Sequence, residues 1–246
     1  PGAKSWNQML LSFCEELEKF KFVDDINKLN EKLGGTNLTT AKLCKDLYKN
    51  SRDYFWAIHK CLYDNQKDID MSFCIFQVAK IIENQKKNKN LRILTYNFDE
   101  YLENYLDYLN VSYNTIFDEN HIQNDNIPIY HVHGFLPKVK SKSNLESRFT
   151  RSIYLTEEDY NDLYNRPYSW QISSQLSFFR ENTCLFVGCS LSDPNIKRLL
   201  NITKRVNNPH YAILTNDGMS TKDLISAEHH FLQLGVEIIW VDNYSE

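Results

Sequence analysis

From residue 91 onward, short apolar runs alternate with longer segments of helical period, and no other feature of the 246-residue chain restricts its fold as much. Strands are predicted at 91–95, 111–116, 128–133, 183–188, 210–215 and 236–241. Helices are predicted between them at 98–109, 157–165, 168–180, 193–206 and 220–234. Pro194 directly after Asp193 fits a capped helix that begins with proline. This alternation predicts an α/β fold with a Rossmann-like parallel sheet and helices on both faces.

The first third reads differently. Ser5 is placed to cap a helix carrying Met9, Leu10, Phe13, Leu17 and Phe20 on one face. Gly34-Gly35-Thr36-Asn37 interrupts the pattern, and a second helix starts at Thr39 or Thr40 and runs through Leu43 and Leu47. Residues 53–63 and 71–83 continue as helix. These apolar stripes are expected to pack a core. With no internal repeat and no low-complexity linker, the chain is expected to be one domain over 1–246, with a mainly helical module at 1–90 and the α/β core at 91–246.

Composition narrows the function classes. Apolar residues make up 42% of the chain, yet no apolar run approaches the roughly 20 residues of a spanning helix. The chain opens without a charged-then-apolar signal segment, so a cytoplasmic location is expected. A net charge of −4 offers no general attraction to nucleic acid. A local basic run, Lys138, Lys140, Lys142, Arg148 and Arg151, reads either as a solvated loop or as a flap that contacts phosphate or a partner. The six cysteines include no C-x-x-C pair, and most lie among apolar neighbours, where a free thiol behaves as a small hydrophobe.

Three motifs carry the chemistry. Ile93-Leu94-Thr95-Tyr96-Asn97-Phe98-Asp99 is an apolar strand entering a polar T-x-N-x-D elbow. Ile129-Tyr130-His131-Val132-His133-Gly134 is a second strand ending in His-Gly. The third is Cys184-Leu185-Phe186-Val187-Gly188-Cys189-Ser190-Leu191-Ser192-Asp193-Pro194. Each places small or polar residues at the carboxyl end of a strand, where open α/β sheets bind ligands. In this order the three resemble the nucleotide site of the sirtuin family, and especially the sirtuin-like NADases of bacterial anti-phage defence such as the Thoeris effector. Ordinary protein-deacylating sirtuins carry two C-x-x-C pairs on a structural zinc, and this sequence has neither pair.

The resemblance implies NAD+ as substrate, no metal, and cleavage of the nicotinamide–ribose bond. It makes Asn97 the catalytic asparagine and His133 the general base, a task that suits an imidazole whose ordinary pKa is about 6.5. It assigns Thr95 and Tyr96 to cofactor binding, Asp99 to the nicotinamide ribose or to stabilising developing positive charge, Gly188 and Ser190 to the dinucleotide, and Asn216 to the adenosine ribose. Tyr96 departs from the glutamine usual in sirtuins. Blander readings stand beside these: His133 as a strand-end histidine bonded to backbone, Asp99 as a helix N-cap, and Asn216 as a turn residue. His131 and His133 also share a strand face in i, i+2 spacing, which leaves a metal pair open.

Two further expectations follow from the same likeness. A glycine-rich phosphate loop belongs before Ser5-Trp6-Asn7-Gln8-Met9-Leu10, and the seven glycines present (2, 34, 35, 134, 188, 218 and 235) do not supply it, so it is expected upstream of Pro1. The implied role is an NAD+ glycohydrolase that depletes NAD+ during phage infection, acting as a homo-oligomer or with a regulatory trigger partner. An NAD-dependent deacylase and a non-catalytic NAD or ADP-ribose sensor are the alternatives.

Overall fold

The computed structural model of the chain describes residues 9, 12, 13, 15, 37–48, 50–63, 73–120, 125–189, 191–204 and 208–242. Ser5, Leu10, Leu17, Phe20, Gly34 and Gly35 lie outside the described residues. The chain divides into two compact units, 1–165 and 166–246.

In the first unit, α1 (Asn37–Leu47), α2 (Ser51–Tyr63) and α3 (Phe73–Asn84) precede a three-stranded sheet. The Asn50 side chain starts α2 by accepting the Asp53 N–H at 2.9 Å. Tyr54, Ile58, Cys61 and Leu62 then recur at i, i+4, i+7 and i+8, so one face of α2 is apolar and buried. That face shares a core with Met9, Phe13, Leu136, Leu145 and Leu155. A second cluster joins Ala79 and Ile82 of α3, Leu106 of α4 (Tyr101–Tyr108), and Ile127 and Ile129 of the sheet. Asn110 ends α4 in the left-handed region (φ 53), where asparagine is tolerated, and the Val111 N–H reaches back to the Leu106 carbonyl at 2.9 Å.

The sheet consists of β1 (Ile93–Thr95), β2 (Tyr113–Ile116) and β3 (Ile127–His131), all parallel, in the order β1-β3-β2. β3 lies in the middle and stops at His131, two residues short of the predicted end. There the Gly134 N–H bonds the His131 carbonyl at 3.1 Å and closes a turn. The basic segment is not a plain loop. Lys142–Asn144 form a 3-10 turn and Ser147–Ser152 form α5, anchored by the buried Leu145 and Phe149. Lys142 pairs with Asp53, and Arg148 lies over the Phe149 ring. Helix α6 (Glu157–Tyr164) then begins with a reciprocal capping box between Thr156 and Asp159.

The second unit runs α7 (Trp170–Glu181), β4 (Leu185–Phe186), α8 (Pro194–Thr203), β5 (His210–Thr215), α9 (Thr221–Gln233) and β6 (Val236–Val241). Its strands are parallel in the order β4-β5-β6. Asp193 caps α8 by accepting the Asn195 N–H at 2.8 Å, with Pro194 at the first helical position as expected. Parallel sheets with helices on both sides make this an α/β, Rossmann-like architecture with an N-terminal helical region.

Candidate functional site

The register of β1 and β3 sets Thr95 opposite His131. Asn97 and His133 each lie two residues beyond that pair, so both leave the sheet at the same carboxyl edge, from strands about 4.8 Å apart. The Val132 N–H extends the pairing by donating to the Thr95 carbonyl at 3.2 Å. The Thr95 hydroxyl oxygen then accepts the Asn97 N–H at 3.1 Å and turns the chain outward, leaving Asn97 exposed. Asp99 Oδ1 accepts the Tyr101 N–H at 3.1 Å just before α4, but the N-cap position itself is Glu100, so Asp99 is not the N-cap expected of it.

The second unit of chemistry at this edge is His133, only 4% exposed. Its ring packs between Tyr96 (centroids 5.0 Å apart) and Tyr160 of α6 (4.9 Å, edge on). Nδ1 lies 3.1 Å from the Tyr160 hydroxyl, while Nε2 is buried without a hydrogen-bond partner among the described residues. The imidazole is thus held by a side chain rather than by backbone. Burial lowers its pKa to about 3, so it is neutral throughout the physiological range. When Nδ1 carries the proton and donates to Tyr160, Nε2 presents a lone pair to whatever enters. Gly134 makes the bend possible. Its φ is +100, and a Cβ there would collide with the Ser152 carbonyl and lie 2.6 Å from Ile153 Cα.

His131 goes elsewhere. Its Nδ1 meets the Asn97 carbonyl oxygen at 2.9 Å and its Nε2 meets Glu103 Oε1 at 2.7 Å. Both ring nitrogens are occupied, which removes it from any shared metal site with His133. Among the described residues no group of three or more His, Cys, Asp or Glu comes together as a metal site. Asp99 lies close to this pair. The residue keeps partial exposure while its carboxyl group is enclosed, and desolvation lifts its pKa to about 6, aided by Glu103 and opposed by the Tyr101 N–H and His131.

In the second unit, Gly188 follows β4 with φ +64, and a Cβ added there meets nothing within 4 Å. It borders an open hollow of about 430 Å³ lined also by Leu214, Thr215, Met219, Phe231 and Trp240. Asn216 ends β5, where its amide donates to Asp242 at 3.1 Å and its backbone bonds Val241 and Met219. Those bonds are what a turn residue makes. Ser190 lies outside the described residues. Burial raises the thiol pKa of its neighbour Cys189.

The sequence profile of the SIR2-like domain family matches residues 91–238, more than half of the chain and nearly the whole α/β part. The chain belongs to that family. A comparison with curated proteins gives no match. SIR2-like domains use NAD+, and the matched residues include the carboxyl ends of β1 and β3. Among the described residues of this SIR2-like protein, no helix is long and apolar enough to cross a membrane.

Sequence reasoning missed Tyr160, Glu103 and the supporting place of His131. Glu103 had a legible signal, because it is the acidic residue in the first turn of the helix that follows the elbow. Tyr160 had none. It reaches His133 across 27 residues only because the Thr156–Asp159 box, with Lys45 bonded to Asp159 at 2.8 Å, sets where α6 begins.

Proposed function

We propose that this SIR2-like chain is an NAD+ glycohydrolase: the bond between nicotinamide and ribose C1′ breaks, and water replaces nicotinamide to give ADP-ribose and a proton. The observation that carries the reading is the buried Nε2 of a neutral His133, without a partner among the described residues, at the strand edge that also bears Asn97. Cleavage passes through an oxocarbenium-like transition state, as glycoside cleavage does. Nicotinamide departs neutral and needs no strong acid. Water adding to that carbon becomes a strongly acidic oxonium, so even a weak base such as His133 takes its proton. Asn97 orients ribose hydroxyls and water through an amide that adds no charge. Tyr96 walls one side of the imidazole. Thr95 shapes the elbow, and Asp99 contributes negative charge when ionised.

Gly188, Ser190 and Asn216 remain assigned to the dinucleotide, and the apolar hollow beside Gly188 suits a flat ring such as adenine. An NAD-depleting role in anti-phage defence, in a homo-oligomer or with a trigger partner, accords with the same motifs. The test is incubation of the full-length protein with NAD+ and chromatography of nicotinamide, ADP-ribose and cyclic ADP-ribose. Stoichiometric nicotinamide and ADP-ribose are expected. Nicotinamide released only with an acyl-lysine peptide present would favour the deacylase reading, and saturable binding without turnover the sensor.

A further inference from the structure

Beneath the Asn97 elbow lies a buried pair that this reaction scheme leaves without a task. The side chains of His131 and Glu103 are 1% and 5% exposed. A carbonyl oxygen only accepts, so the contact with Asn97 requires His131 Nδ1 to carry a proton whatever the state of the rest. The contact between Nε2 and Glu103 then needs one more proton, on the imidazole or on the carboxyl. The Thr115 hydroxyl donates to the same Oε1 at 3.2 Å, while Oε2 is buried with no partner among the described residues. A half-satisfied carboxyl in a dry site is costly, and an apolar pair of similar volume serves packing as well or better. The arrangement therefore asks for a use beyond packing.

Its geometry names that use. Asn97 has its N–H held by the Thr95 hydroxyl and its carbonyl held by His131, while its side chain stands exposed. Both polar groups of its backbone are tied down. We propose that His131 and Glu103 are positioning residues for Asn97: the imidazole, kept from flipping by Glu103, clamps the Asn97 carbonyl and so aims its amide at the ribose. This rests on the NAD+-cleaving reading of the site. Misplacing a substrate-orienting group by about 1 Å costs about 100-fold in rate, so the clamp bears on kcat more than on KM.

The test compares the full-length protein with two variants by two readouts, amide hydrogen exchange at Asn97 and Phe98 by NMR, and kcat and KM for NAD+. His131→Phe keeps a ring but removes both nitrogens. The double variant His131→Asn with Glu103→Gln restores a donor where Nδ1 stands and removes the buried acid. His131→Phe is expected to speed elbow exchange at least about tenfold and to lower kcat about 10- to 100-fold, with KM within about threefold. The double variant should recover slow exchange and a kcat within about fivefold of native. Native exchange and native kcat in His131→Phe would overturn the clamp. So would a double variant as impaired as His131→Phe in both readouts. If His131→Phe does not fold, Glu103→Met, which frees the imidazole to flip, takes its place with the same expectations. A native protein that releases no nicotinamide sinks the proposed reaction alone, and the exchange data still decide the clamp.

Discussion

The carboxyl ends of the two parallel sheets use one local device, a strand that runs into small and polar residues, yet their surroundings differ. At the end of β1 and β3 the polar groups are enclosed: His133 is 4% exposed and Asp99 has its carboxyl inside. At the end of β4 and β5 the backbone opens onto an apolar hollow, Gly188 is exposed, and Asn216 is engaged with Asp242. Enclosure shifts titrations and fixes geometry, which chemistry requires. An open apolar shelf can hold a flat ring without altering its reactivity. The contrast teaches that a shared motif grammar does not imply shared roles, because the burial around the strand end decides what the same residue types can do.

The largest test of that contrast is catalytic. His133→Ala and Asn97→Ala are each expected to lower NAD+ cleavage about 10²- to 10⁴-fold, with Tm little changed for the exposed Asn97. The double variant should be little worse than either single one, since residues acting as a unit are non-additive. Asn216→Ala, by contrast, should act mainly on KM. If Asn216→Ala matched His133→Ala in kcat loss, the two strand ends would not differ as described.

The glycines offer a structural version of the same comparison. Gly134→Ala drives a methyl group into the Ser152 carbonyl and requires φ +100, so a loss of more than about 3 kcal/mol, or failure to fold, is expected. Gly188→Ala meets open space and bears only the left-handed backbone penalty of about 1 kcal/mol. Equal Tm losses in thermal melts of the two variants would remove the distinction between an enclosed and an open strand end.

Titration sharpens the enclosed end further. Asp99 has its folded pKa raised from 3.8 to about 6, so its neutral form is favoured. That contribution is fully present below pH 3.8 and is lost as pH rises through about 6. Asp99→Asn, which keeps an acceptor for the Tyr101 N–H, should therefore stabilise the protein at pH 7 by on the order of 1–3 kcal/mol and lose that advantage toward pH 4. His133 acts in the opposite sense. Its folded pKa is depressed to about 3, so the neutral ring is favoured, and that stability is present above pH 6.5 and lost as pH falls toward 3.

The smallest expected effect is on the rate profile. Because His133 stays neutral, kcat/KM for NAD+ should show no acid limb at the ordinary histidine value of about 6.5 that His133 controls. A limb near pH 6 belongs to Asp99 and should vanish in Asp99→Asn. A limb that persists in that variant would mean that His133 titrates as an open histidine does.

Much of this protein is legible from its sequence, since local chemistry determines local form. Period-2 and period-3.6 patterns located the six strands seen among the described residues, and the Asp193–Pro194 cap placed α8 where it is observed. The T-x-N-x-D elbow and the His-Gly end marked the carboxyl ends of β1 and β3, because hydroxyl, amide and glycine residues turn a chain leaving a sheet. What the sequence could not decide is which strands are neighbours and what lies above them. The order β1-β3-β2 and the Thr95–His131 register bring Asn97 and His133 together, and that depends on burying Ile93, Ile127 and Ile129 against α3 and α4. Two histidines two residues apart look equivalent in a strand. Beyond the end of β3 at His131 their partners diverge, one ring meeting Glu103 and the other Tyr160. Pairwise contacts across 27 and 28 residues are set by packing, which no local pattern encodes.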